Sequence, residues 1–297
     1  MYKRNFKMEC GYHGNKTIRV EGFDSTDEFI RIVSSREVPD ALSDKAYFKK
    51  DDSSPVDSWC GCSTVGEFKR NIDFGITDAQ RIKAVQAFIK KANDGEGPVD
   101  VRANRVVGGS VNVGRYMTGI PTCMRGRMKE ERPDKTIHIV VDVGVLSDIS
   151  SRQLVECSTY VAAAIDKIQR LGYNVKITVC TATMMHSNNS ILIAEILLKP
   201  YGSRLSLPRL LFWCGHPSAF RMGFFNQRAS RDDFPRGDWG GFGASMGSRM
   251  SEADRNAVYN RVFGRCVPIC FADLLRRGYR TDEDWLKGLQ ATLLDYD

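Results

Sequence analysis

The stretch from Thr136 to Leu171 constrains the fold more than any other part of the chain. "TIHIVVDVG" is an apolar run that ends on a single carboxylate, Asp142. Such continuous runs are the mark of a strand buried on both faces of a sheet. Ser150 and Gln153 then form a capping box, and Leu154, Cys157, Val161, Ala164, Ile165, Ile168 and Leu171 recur at helical spacing until Gly172. "YNVKITVCTAT" alternates as a strand does, "MMHSNNS" is a polar turn, and "ILIAEILLK" is a further β run. A joint of about seven residues is too short for a parallel crossover, so these last two strands form an antiparallel hairpin. The first two are joined by a helix and are expected to be parallel. The fold class that follows is α/β, with Ile137–Val141 in the middle of a central, mostly parallel sheet.

The flanking regions read differently. Residues 1–97 are expected to be a small helical and irregular part. Its capping boxes are Thr64/Glu67 and Thr77/Gln80, and the second opens a helix that stops near Gly95 in the linker "DGEGP". Residues 98–230 form the α/β core, in which "SLPRLLFWCGHPSAFRMGFF" supplies one or two apolar helices. Residues 231–297, a Gly-rich stretch followed by capped helices, are expected to be appended to that core. A composition of 42% hydrophobic and 27% charged residues is globular, and no run approaches the roughly 18 apolar residues of a membrane span. The start lacks the apolar stretch of a signal peptide, and the nine cysteines sit mostly in apolar runs, so reduced thiols in a cytoplasm are expected.

Charge is concentrated. Between Val101 and Lys135 stand Arg102, Arg105, Arg115, Arg125, Arg127, Lys129, Arg132 and Lys135, against Glu130, Glu131 and Asp134. "VVGGSVNVG" in the same stretch lacks the Gly-Lys-Ser/Thr ending of a phosphate loop, so its glycines read as turn positions. "CGHPS" places Cys214 and His216 two apart, but a thiol behind "LLFW" is buried, and His216 reads as a joint between helices. Cys60, Cys62, Cys266, Cys270 and His13 lack the spacing of a zinc knuckle, and His138 and His186 are unaccompanied. No metal and no cofactor is expected.

The strand, helix, strand, hairpin order resembles the opening of the von Willebrand factor A fold. There the first strand ends on an Asp-x-Ser-x-Ser motif whose aspartate and hydroxyls hold Mg²⁺. Asp142 matches the first position, while Gly144 and Leu146 replace both hydroxyls, so the resemblance implies a degenerate metal position. Three stretches together also resemble an uncharacterised family of tailed-phage proteins. They are Val111, Val113, Tyr116, Gly119, Pro121, Cys123 and Met124, then the core, then Gly215, His216, Pro217, Ser218 and Arg221. Met222 stands where that family has a second arginine. The resemblance covers about residues 58–226 and implies a phage origin without implying an activity.

The function expected first is a non-enzymatic protein-interaction module in the infected host cytoplasm. Its partner would be a phage or host protein such as an AAA+ ATPase or an RNA polymerase component. The alternative is an accessory factor that binds single-stranded DNA or RNA through Arg102, Arg105, Arg115, Arg125 and Arg127, with Tyr116, Trp239 and Phe242 as stacking aromatics. The two part at one point. Protein binding predicts Tyr116 and Met117 at least half buried, whereas nucleic-acid binding predicts converging arginines around an exposed Tyr116.

Overall fold

The structure is a computed structural model that describes residues 1–10, 14–92, 101–105, 110–111, 113–119, 121, 124–128, 135–146, 148–170, 172–185, 189–232, 244–278 and 284. The chain opens with two strands, β1 (Tyr2–Glu9) and β2 (Asn15–Phe23), followed by α1 (Thr26–Ser35), short 3-10 turns, α2 (Val65–Phe74) and α3 (Ala79–Ala92). A small unit follows, with β3 (Val101–Arg105), β4 (Ser110–Val111), α4 (Val113–Met117) and β5 (Met124–Met128). Then come β6 (Thr136–Asp142), α5 (Ser151–Arg170), β7 (Asn174–Met185), β8 (Ser190–Lys199) and α6 (Leu207–Gly215). A π-helical turn over Ala219–Phe224 leads into α7 (Phe225–Ala229). The chain continues through β9 (Ala244–Ser245), α8 (Met246–Arg249), α9 (Glu252–Phe263), β10 (Val267–Cys270) and α10 (Phe271–Arg277).

The main sheet runs β1-β2-β8-β7-β6-β10, with β9 also paired to β7. As expected, β6 is internal and parallel to β7, and β7 and β8 form an antiparallel hairpin, but the sheet is mixed and not mostly parallel, because β1–β2 and β7–β9 are antiparallel as well. The Ser150–Gln153 capping box closes at 3.3 Å and 2.9 Å, and Thr64 caps α2 in the same way. At α3 the cap is Asp78 instead of Thr77, its Oδ1 accepting from the backbones of Gln80 and Arg81.

The expected division of the chain does not describe the sheet. Strands β1 and β2 come from the part read as helical, and β9 and β10 come from the part read as appended. The reason is local weakness. β10 is only four residues with Pro268 among them, tolerable because it is an edge strand, and β1 alternates exposed with half-buried residues. Neither carries a pattern that identifies it without its neighbour.

Strand alternation sends the core to both faces. On one face Ile137, Ile139, Val141, Val175, Ile177, Val179 and Ile196 pack under α5, α6 and the aromatic cluster around Phe29 and Trp213. On the other, Val140, Cys180, Ala182, Ile191 and Ile193 lie beneath Met246, Met250, Val258, Tyr259 and Val262 of α8 and α9. Helix α9 ends at Phe263, whose ring lies 6.0 Å from that of His138 near the start of β6.

Candidate functional site

Asp142 is the last residue of β6 and is 1% exposed. Its Oδ1 accepts from the backbone N–H of Gly144 at 2.9 Å and of Ala182 at 3.3 Å, and its Oδ2 accepts from the Tyr259 hydroxyl at 2.6 Å. Beyond the end of β6, the place beside β7 is taken by β9, whose Ser245 hydroxyl donates to the Gly144 carbonyl at 2.6 Å. Burial pushes the Asp142 carboxyl up to about 6, against the pull of its three donors and of Arg255. The Asp142 carboxylate is thus bonded by this chain's own hydroxyl and backbone donors. Among the described residues no group of three or more His, Cys, Asp or Glu side chains is placed to hold a metal.

The Gly215–Arg221 motif is a packing joint. Gly215 ends α6 where it crosses α5, and a Cβ there would lie 2.2 Å from the Ser158 side chain. His216 stacks on Phe212 at 5.6 Å, and its Nδ1 lies 2.7 Å from the Ser218 hydroxyl. Burial pushes its pKa down to about 4, with Arg81 acting in the same direction. The Pro217 ring packs against Gly61. The π-helical turn carries Arg221 beneath Trp59, 4.1 Å from that ring, where it donates to the carbonyls of Trp59 and Ile149. Cys214 is buried with its thiol pushed well up, so it is no nucleophile. Cys60 and Cys62 pack beside Arg221 and Met222, whereas Cys266 precedes β10 and Cys270 is its last residue. His13 and His186 lie outside the described residues.

The basic segment forms a separate three-stranded antiparallel sheet, β3-β5-β4. Arg102 pairs with Arg127, and Asn104 pairs with Arg125, which also faces Ser110. Directly paired residues share a face, and so do residues two apart. The register therefore puts Arg102, Arg125 and Arg127 on one face, with Arg105, Val101 and Met128 on the other. Arg115 falls in α4. Tyr116 is 64% exposed and Met117 is 77% exposed, which corrects the expectation that both are at least half buried. The alternation of apolar and turn residues in "GRYMTGIPTCM" suits a strand packed on the core, but Gly114 to Met117 belong to a five-residue helix, and β4 ends at Val111. Trp239 and Phe242 lie outside the described residues.

Sequence reading missed a further polar group. His138 and Thr178 face the side of the sheet that α9 covers only in part, with Nε2 2.9 Å from Oγ1. Glu195 on β8 is 2% exposed and takes one bond from Arg4 Nη2 at 2.9 Å. The available signal was a glutamate in the centre of "ILIAEILLK" and a histidine inside "TIHIVVD". No helix is long and apolar enough to cross a membrane among the described residues.

In comparisons with known proteins, the model of one family matches residues 9–263, and its description is a domain of unknown function (DUF7192). The matched span runs from the last residue of β1 to the last residue of α9. Nothing among the curated proteins and nothing among the solved structures matches the chain.

Proposed function

Because the chain belongs to the DUF7192 family, whose description assigns no activity, we propose a function from the site chemistry: binding of single-stranded nucleic acid by the β3-β5-β4 sheet. The observation that carries this reading is the register that puts Arg102, Arg125 and Arg127 on one face, together with the exposure of Tyr116. Arginines along a strand's path neutralise phosphates, and an exposed tyrosine offers a stacking surface of about 1–3 kcal/mol per base. The formal charge of +7 supports the reading. The setting we propose is an infected bacterial cytoplasm, with the protein acting as a replication or transcription accessory factor on a von Willebrand A-like core. Asp142 serves that core as an internal cap.

The test is a fluorescence anisotropy titration with a single-stranded oligonucleotide over a range of salt. Arg102→Ala, Arg125→Ala and Arg127→Ala together should flatten the slope of log K against log salt by about two units, and Tyr116→Ala should weaken binding at every salt. A wild-type chain that does not bind, or a slope the triple variant leaves unchanged, sinks the reading.

A second reading is a protein-interaction module, and the exposed apolar residues Val111, Val113, Tyr116 and Met117 favour it. Its partner would be a phage or host protein of the AAA+ ATPase or RNA polymerase kind. A complex that survives high salt and is lost in Met117→Asp would place it first.

A further inference from the structure

Beyond the end of α9 the sheet face is polar instead of apolar, and two cavities open there that meet at His138. The larger, about 440 Å³, is lined by Lys135, Thr136, Ile137, His138, Tyr173, Tyr201 and Arg265. The smaller, about 130 Å³, has His138, Lys176, Thr178 and Glu195 on its strand side, with Tyr2, Arg4 and Phe263 among its walls. Gly22 makes room for one wall, because a Cβ there would lie 2.1 Å from the Tyr2 ring.

Two features mark this as a site. The first is the Arg4–Glu195 pair. A guanidinium and a carboxylate usually close two parallel bonds, but here only Nη2 to Oε1 is made. Arg4 Nε and Glu195 Oε2 are buried without a partner, although Glu195 is 2% exposed. Leaving both a donor and an acceptor unmet is costly in a folded chain and recurs where a ligand is received. The second is the lining of the larger cavity. Lys135 and Arg265 are exposed at its rim, Tyr201 is 43% exposed, and Lys135 Nζ sits 5.3 Å above the Tyr173 ring. Cations beside aromatic faces next to a recessed polar end match a ligand with an anionic group, a planar ring and a polar ring edge.

We propose that this double cavity binds a nucleoside monophosphate, its phosphate at Lys135 and Arg265 and its base against Tyr173 and Tyr201, with the polar edge of the base toward the unmet atoms of the Arg4–Glu195 pair. The volume is in the range of small-ligand sites. Burial supports the polarity assigned to the recess. It pushes Glu195 up to about 8, and it lowers His138 to about 4 with help from Lys176, so the recess disfavours charge on both side chains. The inference does not rest on the arginine face of the small sheet, which lies on other elements.

The test is isothermal titration of the full chain with AMP, with adenosine and inorganic phosphate as separate titrants. AMP should bind saturably and more tightly than either fragment. Lys135→Ala with Arg265→Ala should weaken AMP at least about tenfold while leaving adenosine unchanged, as the loss of charge-assisted contacts to phosphate requires. Both residues are exposed, so these variants should fold, and an unchanged melting temperature checks it. Tyr201→Ala should weaken AMP and adenosine alike. Competition of AMP with a bound oligonucleotide would identify the ligand as the end of a strand, and its absence would identify a free nucleotide; both support the site. Failure to saturate at millimolar AMP, phosphate binding as tightly as AMP, or indifference to the rim substitutions overturns it. Loss of oligonucleotide binding in the Arg102, Arg125 and Arg127 variant with AMP binding retained would separate this site from the small sheet.

Discussion

Asp142 and Glu195 are both buried carboxyl groups on the sheet face that carries α8 and α9, and the fold treats them in opposite ways. At the β6 end, Asp142 has three donors from its own chain, and β9 fills the space beyond it. Farther along the same face, Glu195 has one bond, an unmet oxygen, and cavities beside it. A buried carboxyl whose acceptors are all used is a structural cap, and one left partly unmet is a place for a ligand. Resemblance to a metal-binding fold draws attention to the first, whereas hydrogen-bond accounting draws it to the second.

The largest effect should come from Asp142→Ala. It strands the Gly144 and Ala182 N–H groups and the Tyr259 hydroxyl in the interior, at a cost of about 3–5 kcal/mol in urea unfolding. Asp142→Asn keeps one oxygen for the Gly144 and Ala182 N–H groups, and its Nδ2–H can donate to the Tyr259 hydroxyl oxygen, so it should cost less than the alanine variant. A harmless alanine variant would break the comparison at its closed end.

Next is the pH dependence of the two carboxyls. Both have folded pKa values raised by burial, to about 6 for Asp142 and about 8 for Glu195. The folded state therefore binds more protons than the unfolded one between the ordinary carboxyl range and those values, and each group makes stability fall as pH rises through that window. Asp142→Asn should remove about 3 kcal/mol of that fall, completed by pH 7. Glu195→Gln should remove a fall that continues to pH 8 and above, so the variant becomes the more stable form in mild alkali. Chemical denaturation at pH 5, 7 and 9 reads both. Identical profiles for the two substitutions would erase the distinction.

His216→Ala should cost about 1–3 kcal/mol, since it removes the partner of the buried Ser218 hydroxyl and the stack on Phe212. His216 itself has a lowered pKa, so its contribution is complete above the ordinary histidine range and is lost as pH falls from there to about 4. The variant should flatten the acid side of the stability profile between pH 6.5 and 4. The smallest effect expected is none at all: millimolar Mg²⁺ or Mn²⁺, compared with EDTA, should leave the melting temperature unmoved. A stabilisation that Asp142→Ala abolishes would reopen the closed end as a metal site.

Much of the core was legible because each element carries its own period. The apolar run of β6, the one-sided face of α5 with its Ser150 cap, and the short joint between β7 and β8 are local patterns, and all three are present as expected. In the basic segment, the sequence supplied the arginines, but only strand register put Arg102, Arg125 and Arg127 on one face and Arg105 on the other.

What the sequence by itself determined, then, is the α/β class, the hairpin and the absence of hydroxyl ligands at Gly144 and Leu146, because these are properties of residues a few positions apart. The tertiary structure alone decided that the first strands and β10 complete the sheet, that Tyr259 closes Asp142 from 117 residues away, and that Arg4 meets Glu195 across 191. Hydrogen-bond satisfaction is settled by whichever donors the packed chain brings within about 3 Å, and no period in the sequence records that distance.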